Sequence, residues 1–415
     1  MGNEGWINKR FDQCAELIRE TVDPKELNNV PYIGLEHIAQ ESLCLVGYGT
    51  SGDVNSAKSR FKKGDILFGK LRPYFRKVVI APFDGVCSTD IWVVRSKPET
   101  DNKFLFYWMA SHDFIEESTR SSEGTRMPRA KWEFVSRIEK FVPQQSEQRA
   151  IGSILGALDD KIELNRQMCK TLEETAQAIF KSWFVDFDPV HDKVAGKHPE
   201  GLKPEIAALF PDSFVDTEIG RIPKGWEYGR LGNLMNLSDS KRIPLSSLER
   251  ESKKGTFPYY GAAGIIDYIN DYLFDGVFIL VGEDGSVITT TGNPVVQYVW
   301  GKFWVNNHAH VIQAKNGVTT EHLFLILKNL IVTPYVTGAV QPKISQTNLS
   351  LIKVLSSSIS LNKFFGACIA PLMGKYRALV DENISLNIIR DNLITKLISG
   401  TIRIKEAEQI VERCS

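Results

Sequence analysis

The sequence predicts two mixed α/β (α+β) domains, each followed by a long α-helix, with the two helices packed together as an antiparallel coiled coil. Three observations predict this fold class. The chain has 415 residues, too many for a single hydrophobic core. Its two halves repeat one another, and in each half a long stretch carries apolar residues at heptad spacing. The repeat also predicts a pseudo-twofold relationship between the halves.

Four segments occur in the same order in both halves. EGWINKRFDQCAEL resembles KGWEYGRLGNLMNL, ILFGK resembles ILVGE, and EGTRMPRAKWEFVSRIEKF resembles TGAVQPKISQTNLSLIKVL, while the fourth match lies in the helical stretches. Equivalent residues are displaced by 213 to 220 positions, as in Gly5 and Gly225, Ile66 and Ile279, Gly124 and Gly338, Pro128 and Pro342, and Asn165 and Asn383. A repeat of this length indicates two similar domains rather than a solenoid.

The repeat and a Pro- and Gly-rich middle segment divide the chain into five parts. VFILVG and YVWGKFWV are typical of strands, whereas KFLFYWMASHDFIEES and EHLFLILKNLI are typical of short helices. The predicted parts are a first globular domain (1–143), a first helical region (144–185), a central connector (186–220), a second globular domain (221–357) and a second helical region (358–415). Within the helical regions, the long helices are predicted over about 151–183 and 364–399.

A heptad seam is predicted to join the two long helices. Its predicted members are Ile151, Ile154, Leu158, Asn165, Met168 and Leu172 on the first helix, and Ile369, Leu372, Tyr376, Asn383, Leu386 and Leu393 on the second. Packing of each helix on its own domain is the alternative, but a long 3.5-residue period present twice favours a helix pair. Asn165 and Asn383 either lie close together and penalise slipped registers, or are two partly exposed seam positions.

Several protein classes are disfavoured by composition. The chain contains no stretch of about 18 apolar residues, so a membrane span is not expected. Its first residues, MGNEGWINKRFDQ, lack the apolar region of a signal peptide. Its six cysteines are scattered without a CxxC pair, which argues against a zinc site and fits a reducing cytoplasm.

No catalytic constellation is recognisable either. The chain lacks a GxxxxGK[ST] phosphate loop, and the nearest approach to an adenine-methyltransferase motif is NPVV at 293–296. His308 and His310 would share one side of a strand without a third ligand nearby, so we interpret them as core or turn residues. Asp159 and Asp160 are interpreted as part of a solvated helix face. The sequence therefore predicts no catalytic residue and no metal site.

The remaining signal is one of binding. Between Lys58 and Lys77 there are eight basic residues and one acid, and Tyr74 and Phe75 lie among them. Lys and Arg neutralise phosphates, and Arg forks read guanine in the major groove. A solvated surface is the alternative. The equivalent segment of the second half is much less basic, which suits two copies that read two different sequences.

The chain resembles the specificity (S) subunits of type I restriction-modification enzymes. The resemblance rests on SEQRAI at 146–151 followed by LxxLDxKIxxN, on WFVDFDPV and GLKPEIAALFPDSFVDTEIGRIPKGW in the connector, and on the closing LITKLISGTI. It covers essentially the whole chain. One departure is the start of the second helix, SLNKFFGACIAPLM, which lacks the Glu-Gln pair of the first.

The resemblance implies a non-catalytic subunit of a restriction endonuclease and adenine-N6 DNA methyltransferase complex. Each globular part would be a target recognition domain that binds one half of a bipartite site in double-stranded DNA. The helices would set the half-site spacing and dock two modification (methyltransferase) subunits, with restriction (translocase and nuclease) subunits completing the assembly. It implies no cofactor in this subunit, since S-adenosylmethionine, ATP and Mg are used by the partners. The alternative is a two-domain ligand-binding scaffold without DNA specificity.

Candidate DNA-contacting residues lie in loops at equivalent places in both halves. In the first half they are Lys70, Arg72, Tyr74, Arg76, Arg126, Arg129 and Lys131. In the second half they are Glu283, Asp284, Ser286, Gln341 and Lys343, among which an acid could accept a hydrogen bond from cytosine N4. The Gly-x-x-x-Pro segments that begin at Gly124 and Gly338 are interpreted as a shared turn whose intervening side chains are free to read bases.

Overall fold

Two compact units make up the chain: residues 1–166 with 381–415, and residues 167–380. The computed structural model describes residues 5–122, 127–338 and 340–412. The segment from Asp381 onward thus joins the first unit, although the whole second unit lies before it in the sequence. Among the described residues, no helix is both long and apolar enough to cross a membrane.

The first unit contains a four-stranded sheet of order β2-β10-β7-β8 and a five-stranded sheet of order β3-β6-β9-β4-β5. Its strands are β1 (Ile7–Arg10), β2 (Ala15–Ile18), β3 (Thr21–Val22), β4 (Pro31–Ile33), β5 (Gly49–Thr50), β6 (Lys58–Phe61), β7 (Ile66–Gly69), β8 (Val78–Ile80), β9 (Gly85–Cys87), β10 (Ile91–Ser96) and β11 (Glu139–Val142). Its short helices are α1 (Phe11–Cys14), α2 (Asn102–Ala110), α3 (His112–Arg120) and α4 (Trp132–Val135). The long helix α5 (Gln145–Phe184) begins in this unit and ends in the second.

The second unit contains a six-stranded sheet of order β15-β20-β18-β19-β16-β17. Its helices are α6 (Asp188–Val194), α7 (Pro204–Ala207), α8 (Ser247–Ser252), α9 (Thr320–Asn329) and α10 (Gln346–Leu351). Its strands are β12 (Phe214–Thr217), β13 (Gly220–Pro223), β14 (Glu227–Arg230), β15 (Met235–Leu237), β16 (Lys254–Tyr260), β17 (Ile265–Ile269), β18 (Phe274–Gly282), β19 (Val296–Val305), β20 (Ala309–Ala314) and β21 (Lys353–Ser356). The long helix α11 (Ile359–Ser399) begins here and ends in the first unit, where α12 (Ile404–Glu412) follows it.

Strand pairing has the same register in both units. The equivalent pairs are Ile7 with Val142 and Glu227 with Ser356, Leu17 with Val94 and Leu237 with Ile312, and Phe68 with Trp92 and Val281 with His310. The members in β1, β2, β7 and β11 are displaced from their counterparts by the shifts of the sequence matches, whereas those in β10 are displaced by 218 residues, a shift that the pairing reveals. The internal repeat predicted from the sequence is therefore confirmed at the level of individual hydrogen-bonded partners.

The two long helices run antiparallel within each unit. In the first unit Asp159 of α5 contacts Arg390 of α11, and Asn165 contacts Asn383. Residues further along α5 thus contact residues earlier in α11, as expected for an antiparallel pair. In the second unit the Sγ of Cys169 lies 3.7 Å from the carbonyl oxygen of Tyr376, and the rings of Phe180 and Phe365 are 6.1 Å apart. Both helices begin several residues before the predicted starts.

The seam of α5 contains two columns of residues at seven-residue spacing. The first was predicted and runs through Ile151, Leu158, Asn165 and Leu172. The second was missed and comprises Leu155, Ile162, Cys169, Ala176 and Trp183, all buried. Ile154 is partly buried against the first core, whereas Met168 is 37% exposed. Its prediction as a seam residue is wrong, because the adjacent Cys169 fills the inward position.

On α11 the predicted seam residues divide between the two cores. Ile369 is buried in the core of the second unit, with Leu372 packed against it. Leu386 and Leu393 are buried in the core of the first unit. Tyr376 and Asn383 are partly buried, and each contacts α5 as described above.

The connector packs on the second unit. Val190 of α6 and Phe210 after α7 are buried in its core. The rings of Phe210 and Trp183 lie edge to face at 5.2 Å, and Phe187 packs in the same way on Trp226 at 5.6 Å. These aromatic contacts explain why a Pro- and Gly-rich segment adopts a defined path here.

Candidate nucleic-acid interface

The same two loops are hydrogen-bonded to each other in both units. One loop follows a central strand, and the other contains the Pro of the Gly-x-x-x-Pro segment. The equivalent bonds are Arg72 N to Pro128 O (2.8 Å) and Gly285 N to Pro342 O (3.0 Å), and Ala130 N to Lys70 O (2.9 Å) and Ile344 N to Glu283 O (2.9 Å). The loops that carry the described candidate residues are therefore brought together by backbone hydrogen bonds in each unit.

Gly338 has a conformation that few other residues could adopt. Its φ is 90°, and a Cβ added there would lie 2.3 Å from the carbonyl oxygen of Gln341. The interpretation of this segment as a required turn is consistent with that geometry. The equivalent Gly124 and the candidate Arg126 lie outside the described residues.

The basic loop after β7 is bent at two arginines. Arg72 and Arg76 have φ values of 51° and 49°, a left-handed conformation that is uncommon for residues other than glycine. They flank one turn of 3-10 helix at Pro73–Phe75. The ring of Tyr74 is 45% exposed at the tip. Strained backbone of this kind persists where the surroundings fix it and clusters at functional sites.

Arg76 must be withdrawn as a candidate DNA contact. Its Nε donates to the carbonyl oxygen of Ala110 at 2.6 Å, and its Nη2 lies 3.1 Å from Asp391 Oδ1. Its side chain is only 15% exposed. The guanidinium is therefore already used to hold the loop against the end of α2 and against α11.

Beside the loops of the first unit lies an open cleft of about 630 Å³. Its lining includes Arg19, Lys70, Thr89, Trp92, Arg129, Lys131, Trp132 and Glu133. Trp92 and Trp132 meet edge to face with ring centroids 5.5 Å apart. Among the described residues, neither Arg19 nor Lys70 has a hydrogen-bonding or ionic partner for its side chain. The cleft thus combines aromatic walls with an excess of positive charge, since four cations and one carboxylate, Glu133, line it.

Arg129 is held at the rim of this cleft. Its Nε and Nη2 donate to the two oxygens of Asp90 at 2.8 and 3.1 Å, a bidentate arrangement that fixes the guanidinium plane. The hydrogen bond to Asp90 raises the pKa of Arg129. Its side chain remains 46% exposed, so it can still contact a ligand from its outer side.

The equivalent place in the second unit is filled by a network of charged side chains. Oxygens of Asp239 and Glu283 and a ring nitrogen of His310 lie within 4.8 Å of one another. Arg242 Nη1 lies 2.7 Å from Glu283 Oε2, and its Nη2 lies 3.5 Å from Asp239 Oδ2. The His310 ring contacts Asp239 Oδ2 at 2.6 Å and the carbonyl oxygen of Ile344 at 2.9 Å. Charges of both signs are thus paired inside this network.

Asp239 is fixed in its ionised form. Burial opposes its ionisation, but hydrogen bonds from His310, from the backbone N–H of Val311 and from Gln346 outweigh that effect and hold the pKa of the carboxyl below its usual value. The interpretation of His310 as a core residue fits its complete burial. The expectation that no third ligand lies near it was wrong, because Asp239 is distant only in sequence. Since Arg242 bridges both carboxylates, we interpret the network as an ion cluster rather than a metal centre.

Glu283 is therefore withdrawn as an acceptor for cytosine. Its side chain is 14% exposed and is bound by Arg242 and by Lys343, whose Nζ lies 3.2 Å from Oε1. Asp284 is paired with His308. Ser286 and Gln341 remain exposed beside them, and the Lys343 side chain is 50% exposed, so the rim of the second unit offers neutral donors and acceptors beside one paired cation.

Comparison with known proteins places these loops in context. The family model described as the type I restriction modification DNA specificity domain matches residues 3–174 and 223–355. The chain belongs to this family. The two matched ranges cover both globular parts, including both pairs of hydrogen-bonded loops described above.

Two curated relatives are similar over nearly the full length. The type I restriction enzyme HindI specificity subunit of Haemophilus influenzae is 27% identical over 467 residues, covering 96% of this chain and 99% of the relative. The MjaIX specificity subunit of Methanocaldococcus jannaschii is 25% identical, covering 93% of this chain and 87% of the relative. A solved S subunit from M. genitalium has a TM-score of 0.54 at 19% identity, covering 95% of this chain and 96% of that chain, and shows the fold alone.

In this specificity-domain protein each globular part is fixed to the long helices by a polar contact. In the first unit Asp159 of α5 accepts hydrogen bonds from Tyr107 of α2 at 2.6 Å and from Arg390 of α11 at 2.9 Å. Arg390 is 1% exposed. The interpretation of Asp159 as part of a solvated face was therefore wrong, whereas Asp160 is exposed.

The second unit uses the opposite charge at the equivalent helix position. Arg377 of α11, displaced by 218 residues from Asp159, donates to Glu321 Oε1 at 3.1 Å and also bonds the hydroxyl of Tyr298. Tyr298 itself donates to Glu321 at 2.9 Å. Asp159 and Arg377 thus perform the same docking role with reversed polarity.

Proposed function

We propose that this chain is the DNA sequence-specificity subunit of a type I restriction-modification complex, in which each globular part binds one half of a bipartite target. The observation that carries this proposal is the family match, which includes both globular parts. Each part presents the same pair of hydrogen-bonded loops with different side chains on them. One scaffold with two loop chemistries suits the recognition of two different half-sites.

The same proposal assigns the chemistry to partner subunits. Modification subunits would dock on the long helices and methylate adenine, and restriction subunits would translocate and cleave DNA. S-adenosylmethionine, ATP and Mg would be used by those partners, in the cytoplasm, and not by this chain. The spacing of the two half-sites would depend on the lengths of α5 and α11.

Methylome sequencing of the host with and without this gene tests the proposal. We expect one bipartite adenine-methylated motif to disappear on deletion and to return on complementation. If every methylated motif persists after deletion, the proposal is wrong.

A gel shift separates DNA specificity from a scaffold that binds other ligands. The chain is assembled with its modification subunits and mixed with labelled DNA that contains the motif, in the presence of excess competitor. We expect retention against random competitor and loss against competitor that carries the motif. Equal displacement by both competitors would favour the scaffold alternative.

A further inference from the structure

The first unit has an open cleft at a position where the second unit, in the equivalent part of the repeat, has a network of charged side chains. The sequence repeat makes Arg19 equivalent to Asp239, Lys70 to Glu283 and Arg129 to Lys343, and the strand registers make Trp92 equivalent to His310. The first residues of these pairs line the open cleft. The second residues belong to the charged network or lie on its edge.

The equivalence is geometric as well as sequential. Arg19 and Asp239 both lie two residues beyond matched ladder positions, Leu17 opposite Val94 and Leu237 opposite Ile312. Trp92 lies opposite Phe68 in the first unit, and His310 lies opposite Val281 in the second. At two of these points, Arg19/Asp239 and Lys70/Glu283, the scaffold therefore carries opposite charge in the two units, whereas Arg129 and Lys343 are both cations.

Charge in the second unit is balanced internally. The carboxylates of Asp239 and Glu283 are compensated by Arg242 and Lys343. Each carboxylate of the network therefore has a cationic partner.

Charge in the first unit is not balanced in this way. Arg19 and Lys70 line the cleft without a carboxylate partner among the described residues, and Arg129 is pinned beside them by Asp90. Low-dielectric walls, here Trp92 and Trp132, strengthen the field of cations in a cleft. Hydroxyl groups of Thr21, Ser59 and Thr89 also line it.

We propose that this cleft receives an acceptor-rich part of the DNA target, either the O6/N7 edge of a guanine or a backbone phosphate, and that Arg19 and Lys70 bind it. The inference rests on the proposed function and adds the class of group that the first unit takes. Lys and Arg are the side chains that bind both guanine edges and phosphates. The second unit cannot take the same group at the equivalent place, because the paired side chains of Asp239, Glu283 and Arg242 fill it.

The test uses the chain assembled with its modification subunits, with Lys70→Ala and Arg19→Ala as variants. Lys25→Ala and Lys97→Ala are matched controls, since both lysines are exposed in the same unit, do not line the cleft and lie outside the basic segment between Lys58 and Lys77. Affinity for the bipartite target is measured across a salt series, and the methylated motif is determined by sequencing. Thermal unfolding of each variant checks that it folds.

We expect the two cleft variants to weaken binding by about tenfold to a hundredfold and the two controls to leave it unchanged. If the ligand is a guanine edge, the motif relaxes at a position in one half-site, the same half-site for both variants. If it is a phosphate, affinity falls equally for all sequences and the slope of log K against log salt falls by about one per cation removed. Lys70→Arg is expected to retain binding in either case.

Two other outcomes have distinct meanings. If both cleft variants fold and bind with wild-type affinity and motif, while the wild-type complex methylates a bipartite target, the cleft inference is wrong and the proposed function stands. If the wild-type complex methylates no bipartite target, the proposed function fails and the cleft inference fails with it.

Discussion

Asn165 and Asn383 are hydrogen-bonded to each other between the two long helices of the first unit. Asn165 Nδ2 donates to Asn383 Oδ1 at 3.0 Å, and Asn383 Nδ2 donates to the carbonyl oxygen of Ile162 at 3.2 Å. Asn165 is completely buried. Among the described residues, its Oδ1 has no partner. A buried amide pair of this kind fixes register at a cost in stability.

Asn165 Nδ2 also donates to Glu382 Oε2 at 2.9 Å. We therefore expect Asn383→Ala to lower the free energy of unfolding by about 1–3 kcal/mol, since it leaves one N–H of the buried Asn165 amide without its acceptor. The double variant Asn165→Leu/Asn383→Leu should regain much of that loss. A double-mutant cycle measured by chemical denaturation gives the coupling. Additive single changes would contradict a direct interaction between the two residues.

Asp159 is expected to be essential for docking α2 on the helix pair. Asp159→Ala leaves Arg390 buried with one carboxylate fewer and removes the acceptor of Tyr107, so we expect a loss of about 3–5 kcal/mol in unfolding free energy. Asp160→Ala, one residue along on the exposed face, should change it by less than about 0.5 kcal/mol. Equal effects of the two changes would show that the network contributes nothing specific.

The reversed polarity at Arg377 predicts a rescue experiment. Arg377→Glu places a carboxylate against Glu321, and like charges in a half-buried contact are destabilising, so the melting temperature should fall. Glu321→Arg in the same chain should restore most of it. If the double variant is no more stable than Arg377→Glu alone, the docking of α9 does not depend on this ion pair.

His322 predicts a pH dependence of stability in the second unit. Burial lowers the pKa of His322 to about 3, against about 6.5 in an unfolded chain. Below pH 6.5 the unfolded state binds a proton that the folded state does not. Stability is therefore complete above pH 6.5 and should fall by about 1.4 kcal/mol per pH unit as the pH decreases towards 3.

The variant His322→Phe should remove this component of the pH dependence. The new phenyl ring would pack against Phe184 and Phe365, whose ring centroids lie 4.8 and 4.5 Å from that of the imidazole. Denaturation of both proteins at pH 7.5 and pH 5 provides the measurement. An unchanged difference between the two pH values would exclude His322 as the cause.

Gly338→Ala should distort the second unit's loop pair. The new Cβ would collide with the Gln341 carbonyl oxygen, so we expect a cost above about 1 kcal/mol and weaker target binding. Gly285→Ala is the matched control, because Gly285 also has a positive φ of 73° but has no atom within 4 Å of the added Cβ. It should cost less than Gly338→Ala, and similar costs would show that backbone strain alone decides the result.

The repeat made much of this fold predictable. Residues such as Ile7 and Glu227 could be aligned from short matches, and the strand registers follow the same shifts. The missed column of the helix seam contains Cys169 and Ala176, whose small side chains give little periodic signal. Met168 beside them is apolar but exposed, so its position in the sequence gave a misleading periodic signal.

Side-chain pairing was far less predictable than the fold. Arg76 and Glu283 are typical DNA-binding residue types, but their partners Asp391 and Arg242 come from distant segments. Arg19 was missed altogether. Its one available signal was its alignment with Asp239, where the two copies differ in charge.

The membership of α11 in both units sets an order for folding. The first core contains Leu393 and Leu397, so residues 1–166 lack part of their interior until the ribosome has passed this point. At about 5–20 residues per second, translation from Arg166 to Asp381 takes roughly 10–40 s. The second unit is contiguous in sequence and can close first. A protein truncated before Asp381 would thus have a first unit with an exposed apolar face. Chaperones and proteases can recognise that face and remove the truncated protein before it engages DNA.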